Sequence, residues 1–307
     1  MWVVMLWMIK VGWSASLDDV YALQRQGKYI EAQEVLDDLL LNSEVQTTPQ
    51  LRFEWARNLE LQGQYEPALE MYNELYILRV AGDFGLNVAY RRGLVLSNLG
   101  QHRAAIRTLK RLRWRKLTPK DRRGVQLALG AAEIEGGLVE RGMKRIEKTL
   151  LKLEQPNEWS WLQARARMAI CRYLISKAQQ TPLEASVDLK TQMDDRANWI
   201  LQADKQIQVI IQLQEPEYVL LGLEEFADSM VVFFDALRML PPPVDFTDAQ
   251  AEIFAEEIAR QSKVLAEKAL GYYQLAVRFG DGLAWTGACH PRMERKIEVL
   301  EGELRRL

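Results

Sequence analysis

The sequence predicts an all-α protein built as a solenoid of helix pairs. Three observations carry this. Four glycines, Gly27, Gly63, Gly100 and Gly137, close short loops between helical hydrophobic patterns at separations of 36, 37 and 37 residues. Periods of that size belong to stacked helix pairs. The same residue types return at the same offsets around each glycine. Beyond the last of them, long amphipathic stretches continue, broken by proline.

The unit reads as follows. Seven residues before each glycine stand Val20, Ala56, Gly93 and Gly130. Two after stand Tyr29, Tyr65, His102 and Val139. Five after stand Ala32, Ala68, Ala105 and Gly142, and nine after stand Leu36, Tyr72, Leu109 and Ile146. The residues seven before and five after suit the closest approach of two helices, where close packing leaves no room for bulk. The glycine supplies the backbone freedom of the turn, and the residue two later packs over it. Leu23, Leu59 and Leu96 complete the inner stripe of each first helix. Glu133 stands where a fourth leucine is expected.

These units resemble tetratricopeptide repeats. Ala56-x6-Gly63-Gln-Tyr65-x2-Ala68 is the fullest match, and Gly93-x6-Gly100-Gln-His102-x2-Ala105 and Gly130-x6-Gly137-x4-Gly142 follow it. The resemblance covers roughly residues 13 to 155. It implies a right-handed, TPR-like superhelix of about four helix pairs over residues 17–155. The units are a few residues longer than the family's usual period of about 34. Val20 is larger than the family's small residue, and Leu39, Leu75, Leu112 and Thr149 replace another small one late in each second helix. First helices line the concave surface in this family. That places Phe53, Arg57, Tyr90, Leu94 and Leu127 in a groove for a partner's helix or extended peptide, with aromatic and arginine anchors at its centre. The other reading is that some of them touch the N-terminal segment or the next repeat. The family's carboxylate clamp needs Lys and Asn where this chain has Leu17, Tyr21 and Glu54, so chaperone-tail binding is not expected.

Residues 156–307 read as divergent, TPR-like helix pairs with a capping helix. Amphipathic stretches run over residues 159–177 and 189–213, the second with Trp199, Ile200, Ile207, Ile210 and Ile211 on its apolar side. Residues 218–240 are strongly apolar, yet their charges argue against a membrane span. After Pro241-Pro242-Pro243, Thr247 suits an N-cap for a helix reaching about Phe279, and a last helix covers roughly residues 293–306. A short stretch, Glu267-Lys268-Ala269 through Tyr272-Tyr273 to Trp285, is similar to the ends of some exported tetratricopeptide proteins of bacterial envelopes.

The chain has 307 residues, 48% hydrophobic and 27% charged, with a net charge of −2. That composition excludes wholesale disorder. Residues 1–16 read as a signal peptide: an apolar run through Trp13 is followed by Ser14-Ala15-Ser16, small residues that suit cleavage before Leu17. The run is too short to span a bilayer, and Lys10 interrupts it. The alternative is an apolar helix packing on the first repeat. The expectation is a periplasmic or otherwise exported protein, with the cytoplasm as the alternative. Cys171 fits the apolar face of a helix, and a Cys171–Cys289 bridge would need an oxidising compartment.

No metal or cofactor is expected. His102 fills an aromatic repeat position, and His290 lacks further ligands at usable spacing. No phosphate loop, nucleophile elbow or Cys-x-x-Cys motif occurs. Among adjacent carboxylate pairs only Glu224-Glu225 lies in an apolar stretch, where a raised pKa is conceivable. Neighbours on a helix do not face one another, so the pair reads as solvated surface. Residues 101–123 hold ten cations and one Asp, with Arg107, Arg111, Arg113, Trp114, Arg115 and Lys116 as a basic patch. Residues 215–270 carry a net −8. Such polarity suits an acidic protein partner, an anionic surface or self-contact, with nucleic acid the least favoured. The expected function is a non-catalytic protein–protein interaction scaffold or assembly subunit, part of an envelope complex. The alternative is a helical-solenoid enzyme acting on cell-wall glycan or another polymer.

Overall fold

The computed structural model describes residues 16–42, 48–78, 82–112, 117–184, 188–285 and 289–306. The proposed signal segment lies outside them, apart from Ser16. The described residues form thirteen α-helices and no strand. These are α1 (Leu17–Arg25), α2 (Tyr29–Asn42), α3 (Pro49–Leu61), α4 (Tyr65–Ile77), α5 (Gly82–Asn98), α6 (His102–Lys110), α7 (Pro119–Glu135), α8 (Val139–Leu150), α9 (Ser160–Gln180), α10 (Leu189–Leu213), α11 (Pro216–Arg238), α12 (Asp248–Gly282) and α13 (Cys289–Leu304).

The four repeating glycines make one turn four times. Gly27, Gly63, Gly100 and Gly137 have φ of 72°, 76°, 71° and 83°, a left-handed conformation that costs glycine nothing. Each glycine N–H donates to the carbonyl three residues back: Gln24, Glu60, Ser97 and Ile134. Each following N–H donates to the carbonyl five residues back: Leu23, Leu59, Leu96 and Glu133. These eight bonds span 2.7–3.1 Å. This is the Schellman termination, which satisfies carbonyls that the end of a helix would leave unpaired. The second helix starts two residues after the glycine every time.

The residues at the repeating offsets form the interior of each pair. Val20, Ala32, Leu36, Ala56, Ala68, Tyr72, Ala105, Leu109 and Ile146 are at most 1% exposed, and Gly93, Gly130 and Gly142 are buried. The close approach is real where it can be measured. A methyl group on Gly142 would lie 2.6 Å from the Gly130 carbonyl oxygen, and one on Gly93 would touch the Leu109 side chain at 3.0 Å. First helices α1, α3 and α7 begin at hydroxyl caps, Ser16, Thr48 and Thr118, each accepting from the amide three residues on.

The chain divides into two compact units, Met1–Arg91 and Arg92–Leu307. The division falls inside α5, not at 155/156 where the glycine signature ends. In the first unit α1 packs on α2, α2 on α3 and α3 on α4. Val20, Ala32, Leu36 and Leu51 form a core with Leu17, Leu23, Leu39 and Trp55 against it. Asn58, fully buried, fastens α3 to the first pair. Its Nδ2 donates to the Tyr29 carbonyl (2.8 Å) and to Gln33 Oε1 (3.0 Å), and its Oδ1 accepts from Gln24 Nε2 (3.3 Å).

In the second unit α7 packs on α6, α8 and α9; α9 packs on α10 and α11; α11 packs on α10, α12 and α13; and α12 packs on α13. The divergent helices follow the sequence closely. Residues 189–213 are one helix, and Thr247 caps α12 in a capping box with Gln250. On α11, Phe226 and Phe234 are fully buried while Val232 is exposed. Cys171 is free and fully buried, on the face of α9 that it shares with Ala164 and Met168. Burial pushes its thiol up to about 12. Its sulfur is not in a bridge, contrary to the Cys171–Cys289 option.

Candidate interaction surfaces

The five residues expected in a concave groove are mostly core. Tyr90 and Leu127 are fully buried, Leu94 is 4% exposed and Phe53 is 7% exposed. The Phe53 ring lies 5.9 Å from Tyr72 and 5.2 Å, edge-on, from Phe84. Leu127 sits among Val125, Ala128 and Leu129, which are also buried. Side chains that fill an interior cannot also present themselves to a partner, so the assignment of these four to a docking surface is corrected. They extend the apolar stripe of each first helix inward. Arg57 alone stays partly exposed, with its Nη1 3.5 Å from Glu54 Oε2.

Glu133, the residue that breaks the leucine pattern, is fully buried. Arg145 grips it through two nitrogens, at 2.7 and 3.2 Å. Arg141 lies 2.9 Å and Lys110 3.8 Å from it. A buried carboxylate needs such pairing. The substitution therefore buys an ionic tie between α7 and α8 where the other repeats use a leucine.

Arg141 and Arg145, the partners of Glu133 on α8, also line a cationic groove of about 530 Å³ between α7 and α8. From α7 come Arg122 and Arg123. From α8 come Arg141, Lys144, Arg145 and Lys148, with Lys152 just beyond its end. Gln126 and Thr149 complete the lining, so seven cations and no carboxylate face the groove. Arg123 is held by Glu158 (2.6 Å) and Glu154 (2.9 Å). The Arg123 hydrogen bonds hold the Glu158 carboxyl below its usual range. Arg145 is committed to Glu133 and Gln126. Lys144, Lys148 and Lys152 are exposed and pair with no carboxylate among the described residues. This stripe is less conspicuous in the sequence than the denser run of cations at residues 101–123. The signal was present, since residues 141, 144, 145, 148 and 152 recur at the three- and four-residue spacing of one helix face.

The upstream basic patch is only partly described. Arg107 and Arg111 are exposed at the end of α6, where cations favour the helix C-terminus. Arg113, Trp114, Arg115 and Lys116 lie outside the described residues.

The carboxylate pair separates as helix geometry requires, but Glu224 is not solvated surface. It is 4% exposed and bonded by Arg292 through two nitrogens (both 2.5 Å) and by Lys296 (2.8 Å). Burial pushes its carboxyl up, but Arg292 and Lys296 outweigh that and hold it below the usual range. This is the reverse of the raised pKa conceived from the sequence. Lys296 also reaches Asp228 (2.7 Å), which accepts from the Tyr273 hydroxyl. Glu225 turns to the other side and is held by Arg172 at 2.6 and 2.8 Å. A second buried network joins Arg165 to Glu135 (2.7 Å) and to Asn98 (3.1 Å).

His102 packs at the start of α6, its Nδ1 3.2 Å from the Ser97 hydroxyl. His290 meets Asp281 at 2.9 Å. Among the described residues no group of three or more His, Cys, Asp or Glu could hold a metal ion, and no helix is long and apolar enough to cross a membrane. Compared with known proteins, the chain matches no family model and no curated protein.

Proposed function

We propose that the chain is a non-catalytic scaffold of tetratricopeptide-type helix pairs that docks a partner protein. The observation that carries this reading is the fourfold recurrence of one unit: a Schellman turn at glycine, a small residue five after and a buried bulky residue nine after, with a small residue seven before in three units and Val20 in the first. Repeats of this kind bury their core lengthwise and leave long faces free for recognition. Helices from residue 156 onward continue the stack and cap it as a right-handed solenoid. Docking uses exposed helix faces rather than the buried aromatic stripe of Phe53 and Tyr90.

The carboxylates offer little support to a glycan-cleaving alternative. A general acid needs a carboxyl held high, whereas Glu224 is held low by two cations. In-cell crosslinking of the native chain followed by mass spectrometry tests the scaffold reading. It expects one protein to recur in crosslinks with exposed helix residues. Turnover of a cell-wall polymer, abolished by Glu224→Gln, would overturn it. Export to the periplasm is part of the same proposal and rests on residues 1–16. N-terminal sequencing of the mature chain should begin near Leu17, and an intact Met1 would refute it.

A further inference from the structure

We propose that the α7–α8 groove docks an acidic peptide segment of the partner protein. This rests on the reading of the chain as a protein-docking scaffold and goes beyond it in naming the surface and the chemistry of the ligand. Seven cations face a cleft of about 530 Å³ without a carboxylate in its lining. A cleft lined by one sign of charge concentrates ligands of the other.

Three features select a peptide carboxylate ladder over other anions. The cations lie along a line, not around a point. From Arg141 to Lys152 they extend about 16 Å at the helical rise, returning every three or four residues. A partner helix or extended strand bearing Glu or Asp at comparable spacing meets them in register. Second, the guanidinium forks best suited to bidentate phosphate recognition are occupied: Arg123 by Glu158 and Glu154, Arg145 by Glu133. What remains unpaired is Lys144, Lys148 and Lys152, mobile ammonium groups that suit carboxylates on a flexible chain. Third, no aromatic side chain lines the cleft, so it offers no platform for stacking bases of a single strand.

The groove is also rigid where it must be. Buried Glu133 holds Arg141 and Arg145, and the close approach of Gly130 and Gly142 fixes the two helices. The partner pays little to order the surface, and the free lysines supply the adaptable contacts.

The test uses the full chain and fluorescence anisotropy. The probe is a short fluorescein-labelled peptide with glutamate at every third or fourth position. Comparison ligands are a thymidine oligonucleotide and phosphatidylserine vesicles. The expected result is saturable binding of the acidic peptide that weakens with added salt, as screening shortens. The triple variant K144E/K148E/K152E should lose at least about tenfold in affinity, since an exposed charge pair is worth a factor of roughly 1.5–5. Circular dichroism should show unchanged helix content, and K144Q/K148Q/K152Q should give an intermediate loss. Equal affinity in wild type and triple variant would overturn the proposal, as would tighter binding of the oligonucleotide or vesicles through the same lysines. A salt-sensitive dimer that the charge reversal dissolves would assign the face to a second copy instead. Failure of the peptide to bind, with in-cell crosslinks intact, would remove the acidic ligand and leave the scaffold reading standing. Loss of both would remove both.

Discussion

Gly142→Ala adds one methyl group to the tightest helix contact among the repeats. The new carbon would lie 2.6 Å from the Gly130 carbonyl oxygen, 2.6 Å from Ile134 Cγ1 and 2.9 Å from the Ile134 backbone nitrogen. Two of these three neighbours are backbone, so relief requires the helices to part. Alanine gains about 0.8–1.0 kcal/mol over glycine in a helix interior, while overpacking costs about 1–3 kcal/mol. With backbone as the obstacle the cost sits at the upper end, and the net loss should be about 1–2 kcal/mol. Gly130→Ala should cost less, because its nearest obstacle is the Ile146 side chain at 2.6 Å, and Gly93→Ala least, meeting only Leu109 at 3.0 Å. Gly271→Ala is the control. It lies in α12 and is exposed, with nothing within 4 Å of the added carbon, so it should gain up to about 1 kcal/mol. Urea unfolding followed by circular dichroism reads the series. A Gly142→Ala variant as stable as wild type would refute the claim that these small residues set the helix contact.

Other predictions follow from the polar interior. Asn58→Ala removes three hydrogen bonds in a fully buried position and should cost about 2–3 kcal/mol; a chemical-denaturation midpoint within error of wild type would contradict this. Stability should form a plateau between acid and alkaline limbs. Glu224 and Glu158 have depressed folded pKa values, so their stabilisation is present above the unfolded carboxylate value of about 4.3 and is lost as pH falls through the folded values. Lys296 is raised by Asp228 and Glu224 against the opposing pull of burial, so its stabilisation is present below about 10.4 and is lost as pH rises through the folded value. Thermal scans should show Glu224→Gln flattening the acid limb; an unchanged limb would dissociate the network from stability. Cys171, buried with its thiol pushed up to about 12, should resist iodoacetamide in a Cys289→Ser background until denaturant is added.

The repeat core was legible because its signals are local. A glycine that must adopt positive φ, a small residue at the crossing and a bulky one nine later each answer to one steric need, and each is buried or left-handed as read. The helix at 189–213 and the Thr247 cap were legible for the same reason. The groove was not. Phe53, Tyr90, Leu94 and Leu127 have the types of an interface anchor and of a core residue alike, and only their neighbours, such as Phe84 and Tyr72 around Phe53, separate the two. Glu133 stands where a leucine is expected, and its partners, Arg141, Arg145 and Lys110, come from flanking helices on either side of α7. The burial of Glu224 is hidden from the sequence for a related reason. Its cations, Arg292 and Lys296, stand about seventy residues away in sequence, and no local pattern announces them.

Site-specific photocrosslinking in the cell tests the docking function most directly. A photoreactive residue would replace, one at a time, exposed positions on separate helices: Ile30, Ile77, Lys144 and Val264. The scaffold account predicts a discrete adduct with one protein from a subset of positions, with Lys144 among them. Irradiation that yields no protein adduct from any of these faces would contradict it.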